Sequence, residues 1–189
     1  MELGSVATGT VARIRRLSLP LEYGCYAVIF IWFVGALYFS TMVWVAPEQI
    51  SYLFGDLGPL VVRIGQASLP KAIPAWLMLM APAALYIYGY WHLSQVFRSY
   101  KKQVLFSNNN ARHLFHFALA GFLGFIATTP LQGLAEATLT FGTSQLAQGM
   151  PLVINGDEVF ALIAWGAFLT VSWVMREGTR IAQENAEIL

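Results

Sequence analysis

The sequence predicts an all-α integral membrane protein, a four-helix bundle with both termini on the cytoplasmic side and two extracytoplasmic loops. Three observations carry this reading. Only 11% of the 189 residues are charged while 57% are hydrophobic, against about a quarter charged in an ordinary soluble domain, and the mean hydropathy is +0.59. Four apolar windows lack any Asp, Glu, Lys or Arg. The cations are distributed unevenly around those windows.

The windows are Tyr23 to Pro47 (25 residues), Ala72 to Phe97 (26), His113 to Ala135 (23) and Val159 to Met175 (17). As helices they suit a hydrocarbon core of about 30 Å, the last with little to spare. They imply one transmembrane domain over residues 1–189, with a cytoplasmic helix over 176–189 after the fourth span. The first window is longer than the roughly 7 to 15 residues of a signal-peptide core, and Val43-Trp44-Val45-Ala46 lacks a small-x-small cleavage pair. Cys25 opens that run, whereas a lipidated cysteine closes one, and a single thiol builds neither an internal disulfide nor a cysteine metal cluster.

Orientation follows from the cations. Arg13, Arg15 and Arg16 precede span one, Arg98, Lys101, Lys102 and Arg112 lie between spans two and three, and Arg176 and Arg180 follow span four. These are nine of the eleven Lys and Arg residues, and a four-span topology puts all three segments on one side. The other side has Arg63 and Lys71 against Glu48, Asp56, Glu136, Asp157 and Glu158. The basic side is therefore read as cytoplasmic and the location as a bacterial inner membrane, with anionic lipid head groups as partners of the cations. No direct nucleic-acid contact is expected from so few charges, and the oligomeric state is not specified.

Inside the spans, Tyr23, Trp44, Tyr90, Trp91 and Trp173 mark interfaces, while Trp32 and Trp165 lie deeper and should pack between helices. Ala120, Gly124 and Thr128 form a small-residue stripe that permits close helix approach. Pro82 and Pro130 should kink their helices, and Pro74 falls in a first turn. Ser107 to Asn110 offer side-chain oxygens that can cap the start of span three.

The outer loops are 24 and 23 residues long. Loop one has apolar clusters at Tyr52 to Phe54 and Leu60 to Ile64 and is expected to lie on the outer surface. Loop three, from Glu136 to Glu158, is too polar for lipid. Its runs ATLTF and PLVING, with Asn155-Gly156 as a turn signal, are compatible with a small β-hairpin.

Chemistry is sparsely signalled. No span window contains an Asp, Glu, Lys or Arg, the groups that ion-coupled carriers usually keep at membrane depth. No phosphate-binding, dinucleotide or metalloprotease motif occurs, so no enzymatic activity is expected. His92 and His116 fall at similar depth on neighbouring helices, with His113 one turn further out. That spacing makes His92 and His116 candidate ligands for haem or a metal, against the alternative that they pack and hydrogen-bond locally. In the tail, Val174, Ile181 and Ile188 recur every seven residues and Arg180 can pair with Glu184, so span four should continue as a polar helix despite Gly178.

Two segments together resemble a known family. Phe106-Ser107-Asn108-Asn109-Asn110-Ala111-Arg112-His113-Leu114 is similar to a Phe-Ser/Thr-x-x-Asn-x-x-x-Leu signature before a third span. Glu158-Val159-Phe160, Arg176-Glu177-Gly178 and Gln183-Glu184-Asn185 resemble the end of the same family, the bacterial four-span inner-membrane proteins called domain of unknown function 2975. The chain departs from it at Gln103 to Leu105, where members carry a glycine, at Asn109 in place of an acid, and at Trp173 in place of a carboxylate. The resemblance implies four spans, no established activity and a gene beside a small helix-turn-helix regulator. It points to a non-enzymatic membrane partner that restrains or informs a cytoplasmic transcription regulator through Asn110, Arg112, Arg176, Gly178, Glu184 and Asn185, with no cofactor. The alternatives are a small-molecule, haem or metal-binding bundle through His92 and His116, and a channel or transport accessory subunit.

Overall fold

The computed structural model of the protein describes residues 3–53, 55–102, 107–142 and 156–187. Those residues are helical apart from short turns, and none forms a strand. Helix α1 runs Leu3–Val45, α2 Pro47–Ser51, α3 Gly58–Gln66 after a 3-10 turn at Gly55–Leu57, α4 Leu69–Lys101, α5 Asn108–Thr140 and α6 Gly156–Glu187. Four stretches are long and apolar enough to cross a membrane: Arg16–Val45, Leu69–Lys101, Asn108–Thr140 and Val159–Ile181. This is the pattern of a multi-pass membrane protein.

Each helix outruns its charge-free window, because a charged turn at a lipid boundary ends the apolar run without ending the backbone ladder. Helix α6 passes straight through Gly178 as one 32-residue element, so span four and the tail are continuous. Pro20, Pro74, Pro82 and Pro130 all lie inside helices. Since α4 begins at Leu69, Pro74 lies beyond its first turn rather than in it. The run ATLTF is the end of α5 through Thr140 and not a strand, which corrects the first half of the expected hairpin; PLVING falls almost wholly outside the described residues.

Hydroxyl side chains satisfy themselves locally, as they must where water is excluded. Ser40 Oγ donates to the Ala36 carbonyl at 2.6 Å, Thr128 Oγ1 to Gly124 at 2.8 Å, Thr170 Oγ1 to Gly166 at 3.0 Å and Thr179 Oγ1 to Met175 at 2.8 Å. Many large apolar side chains of α1 and α6, among them Phe30, Ile31, Phe33, Ile163 and Val171, face outward, the arrangement expected of helices solvated by lipid. Trp32 belongs to this exposed set, contrary to the expectation that it packs between helices.

The chain divides into two compact units. One comprises Ile31–Leu85 and Leu123–Asn155. Its core joins Phe39 and Val43 of α1, Leu60, Val61 and Ile64 of α3, Ala72 and Ala75 of α4, and Ala135 and Leu139 of α5. Loop one is thus an internal packing element: Leu60, Val61 and Ile64 share one face of α3 and are buried, while Tyr52 and Leu53 are exposed. Gly65 allows α3 to approach the end of α1 and the start of α2, since a Cβ there would lie 2.5 Å from the Val43 carbonyl oxygen and 2.8 Å from the Pro47 ring.

Both cations of this unit are engaged. Arg63 Nη1 donates to Glu136 Oε1 at 2.9 Å, with Glu136 nearly buried. Lys71 Nζ donates to the Phe141 carbonyl at 2.5 Å, placing positive charge at the negative end of α5.

The second unit comprises Met1–Phe30, Tyr86–Phe122 and Gly156–Leu189. Its interior is more polar, with Ser18, Glu22 and Cys25 of α1, Ser94 of α4, Asn110, Ala111 and Ala118 of α5, and Ser172 and Thr179 of α6 buried. Phe117 anchors an aromatic cluster, edge-on to Tyr90 at 5.8 Å, Trp165 at 5.4 Å and Phe168 at 5.7 Å. Trp165 therefore packs between helices as expected, over Gly121, whose missing Cβ leaves room for the indole. Gly89 meets Ala120 of the small-residue stripe, with 3.4 Å between a Cβ built at Gly89 and that of Ala120.

Gly121→Ala drives a methyl group into the Trp165 ring, and overpacking of this kind costs about 1–3 kcal/mol. The expected outcome is a lowered thermal unfolding midpoint in detergent, with Gly133→Ala, which meets nothing within 4 Å and replaces a helix-interior glycine by a better helix former, holding or raising the midpoint.

Candidate functional site

The predicted contact residues fall on the second unit, and the structure sorts them into exposed and buried groups. Helix α5 starts at Asn108, and Ser107 caps it: the Asn110 amide donates to Ser107 Oγ at 3.1 Å, and the Ala111 amide to the Ser107 carbonyl at 3.1 Å. Of the asparagines, Asn108 and Asn109 are exposed. Asn110 is only 1% exposed, so its side chain belongs to the interior and not to a docking surface, a correction to the contact set. A rotation of about 100° per residue separates outward Asn109 from inward Asn110, and the three-asparagine run carries no periodicity that would reveal which is which.

Arg112 is exposed on α5. On α6, Arg176, Gly178 and Glu184 are exposed, and a side chain at Gly178 would meet open space. Arg180 Nη1 donates to Glu184 Oε1 at 2.7 Å, the expected pair, and Arg180 also reaches Glu177 one turn back. The guanidinium thus bridges two carboxylates along the outside of α6. The side chain of Asn185 lies outside the described residues.

An ion pair that the sequence reading missed ties α1 to α4. Lys101 Nζ donates to Glu22 Oε2 at 3.4 Å, with the Glu22 side chain 10% exposed and that of Lys101 41%. Glu22 precedes the first charge-free window by one residue. Its place on a buried Ser18, Glu22, Cys25 face, at spacings of four and three, was the available signal.

The three histidines meet. His92 Nδ1 and His113 Nδ1 are 2.7 Å apart. The His92 and His116 rings stack with centroids 4.8 Å apart and planes 25° from parallel, and Tyr88 stands edge-on to His92 at 4.5 Å. The sequence expectation paired His92 with His116 and left His113 further out; the structure makes His113 the hydrogen-bond partner. Ligands to one ion must aim their lone pairs at a common point, whereas stacked rings aim theirs side by side. Among the described residues, no group of three or more His, Cys, Asp or Glu side chains is placed to hold a metal ion. The cluster has the form of packed, mutually hydrogen-bonded imidazoles, able to hold and pass a proton.

The site therefore combines an outward cationic surface with an inward hydrogen-bonded cluster, both lying within the stretch matched by a family profile. Residues 64–188 match the family described as protein of unknown function (DUF2975). The chain belongs to this family. The DUF2975 match begins at Ile64 in α3 and takes in α4, α5 and α6, so the Ser107 cap, the histidines and the Arg180 bridge all fall within it. Comparisons with curated proteins and with solved structures find no match.

Ser107→Ala removes the acceptor for the Asn110 amide, a change worth about 0.5–2 kcal/mol at a helix N-cap. Faster amide hydrogen exchange at Asn110, with exchange at Ala135 unaltered, is the expected result.

Proposed function

We propose that this DUF2975 member is a non-enzymatic protein of the bacterial inner membrane, with both termini cytoplasmic, that restrains or informs a cytoplasmic helix-turn-helix transcription regulator. Its contact surface is formed by Arg112, Arg176, Gly178, Glu184 and Asn185. The observation that carries the reading is where free positive charge lies. Among the described residues, the exposed Arg16, Arg98, Lys102, Arg112 and Arg176 all belong to the unit that contains α6 and the start of α5, as does Arg180, which bridges Glu177 and Glu184. In the other unit Arg63 is held by Glu136 and Lys71 by a carbonyl.

Exposed Lys and Arg residues next to a bilayer gain about 1 kcal/mol each from anionic head groups, which supports the cytoplasmic assignment of this unit through the bias of cations toward that side. The same surface suits a protein partner. Helix α6 carries Arg176, Arg180 and Glu184 on continuous backbone beyond its charge-free window, and a preformed helix docks with little ordering cost. The role of a regulator as that partner comes from what the family resemblance implies.

The test is co-purification of the full chain with the regulator encoded beside it, joined to a reporter for that regulator's promoter. Arg112→Glu with Arg176→Glu is expected to weaken capture roughly tenfold or more, since a charge reversal at an interface sets like charges against each other, and to shift reporter output. No capture by the unaltered chain, together with reporter output indifferent to deletion of residues 176–189, refutes the proposal.

A further inference from the structure

The Nδ1 atoms of His92 and His113 approach to 2.7 Å, and a bond between two imidazole nitrogens needs an N–H on one and a bare lone pair on the other. This requirement limits how many protons the pair can hold. With both rings neutral, the donor is the Nδ1–H tautomer and the acceptor the Nε2–H tautomer. One added proton settles on the free Nε2 of the donor ring; its Nδ1–H still donates, and the bond becomes charge-assisted. A second added proton has only the accepting Nδ1 lone pair to occupy. Two N–H groups of like charge then face each other across a hydrogen-bond distance, and the rings must separate.

The pair joins α4 to α5, and its two rings titrate as one coupled site. Tyr88 faces His92 from α4, and His116 stacks on His92 from α5. Arg112, also on α5, acts on both rings through its charge. Both imidazoles are partly buried. His113 lies three residues after Asn110 and beside Arg112, so its bond to His92 fixes the start of the helix that presents Arg112.

We propose that the His92–His113 pair is a proton-dependent latch between α4 and α5, closed while the pair carries at most one extra proton and open when it carries two. It does not rest on the regulatory reading, and its test needs neither regulator nor reporter. The full chain in lipid nanodiscs is followed by hydrogen–deuterium exchange over residues 108–117 at about pH 8 and about pH 3, because the second proton, opposed by the first, adds only below the range in which histidine ordinarily titrates, with correction for intrinsic exchange. Protection is expected to fall about tenfold on acidification, the loss of one hydrogen bond. His92→Gln keeps an amide donor and acceptor but takes no proton, and its protection should not change with pH. Unchanged protection in the unaltered chain, or an equal fall in His92→Gln, overturns the latch. Ring nitrogen NMR of the unaltered chain gives a second reading that needs no variant: His92 and His113 should move together in two separated steps, and independent single-step titrations overturn the proposal.

Discussion

The absence of water from the hydrocarbon core is the constraint on which the rest of this structure depends. Every backbone N–H and C=O in that region must find a partner within the chain, and only a continuous helix supplies one for each residue of an isolated segment. Helices α1, α4, α5 and α6 therefore run for 32 to 43 residues, and the serine and threonine hydroxyls along them turn back on their own carbonyls. The same constraint governs charge. Among the described residues, the nearly buried carboxylates Glu22 and Glu136 each have a cation within reach, Lys101 and Arg63, because a buried carboxylate without a partner loses its hydration and gains nothing in return.

Within that frame the two units solve packing differently. The unit containing α3 buries aliphatic side chains, with Val43, Val61 and Ile64 almost wholly enclosed, and uses its cations to fasten α3 and α4 to the end of α5. The unit containing α6 buries serines, an asparagine, a threonine and a glutamate, and organises its apolar content around Phe117. Small and polar side chains let helices approach and hydrogen-bond in lipid, but such contacts have fewer alternatives when disturbed. A surface that must respond to a proton or a partner is better placed in such a unit than in a close-packed aliphatic core. The free cations and the histidine cluster are both found there.

Four uncharged windows were enough to read the fold class from the sequence, because the penalty for charge in lipid is larger than any helix propensity. The ends of the helices were not legible in the same way: α5 continues to Thr140 through threonines that would be poor in lipid but are acceptable at a boundary, each bonding to a carbonyl three or four residues back. Helix α3 was hidden by the glycines and proline around it, and its amphipathic face shows only when Leu60, Val61 and Ile64 are placed at helical spacing. Glu22 escaped notice because a window defined by freedom from charge stops where a paired charge begins. The capping serine was legible, as an oxygen three residues before the amide it accepts. The burial of Asn110 and the His92–His113 bond were not, because both depend on how neighbouring helices rotate about their axes, which no single-helix pattern specifies.

The central claim is that four helices cross a lipid bilayer and return both ends of the chain to the cation-rich side. Topology reporters joined after residues 142 and 189, compared with a reporter at the N-terminus, test it most directly. The account predicts cytoplasmic signals at both termini and an extracytoplasmic signal at Gly142. Termini on opposite faces, or Gly142 on the same face as the termini, would contradict it.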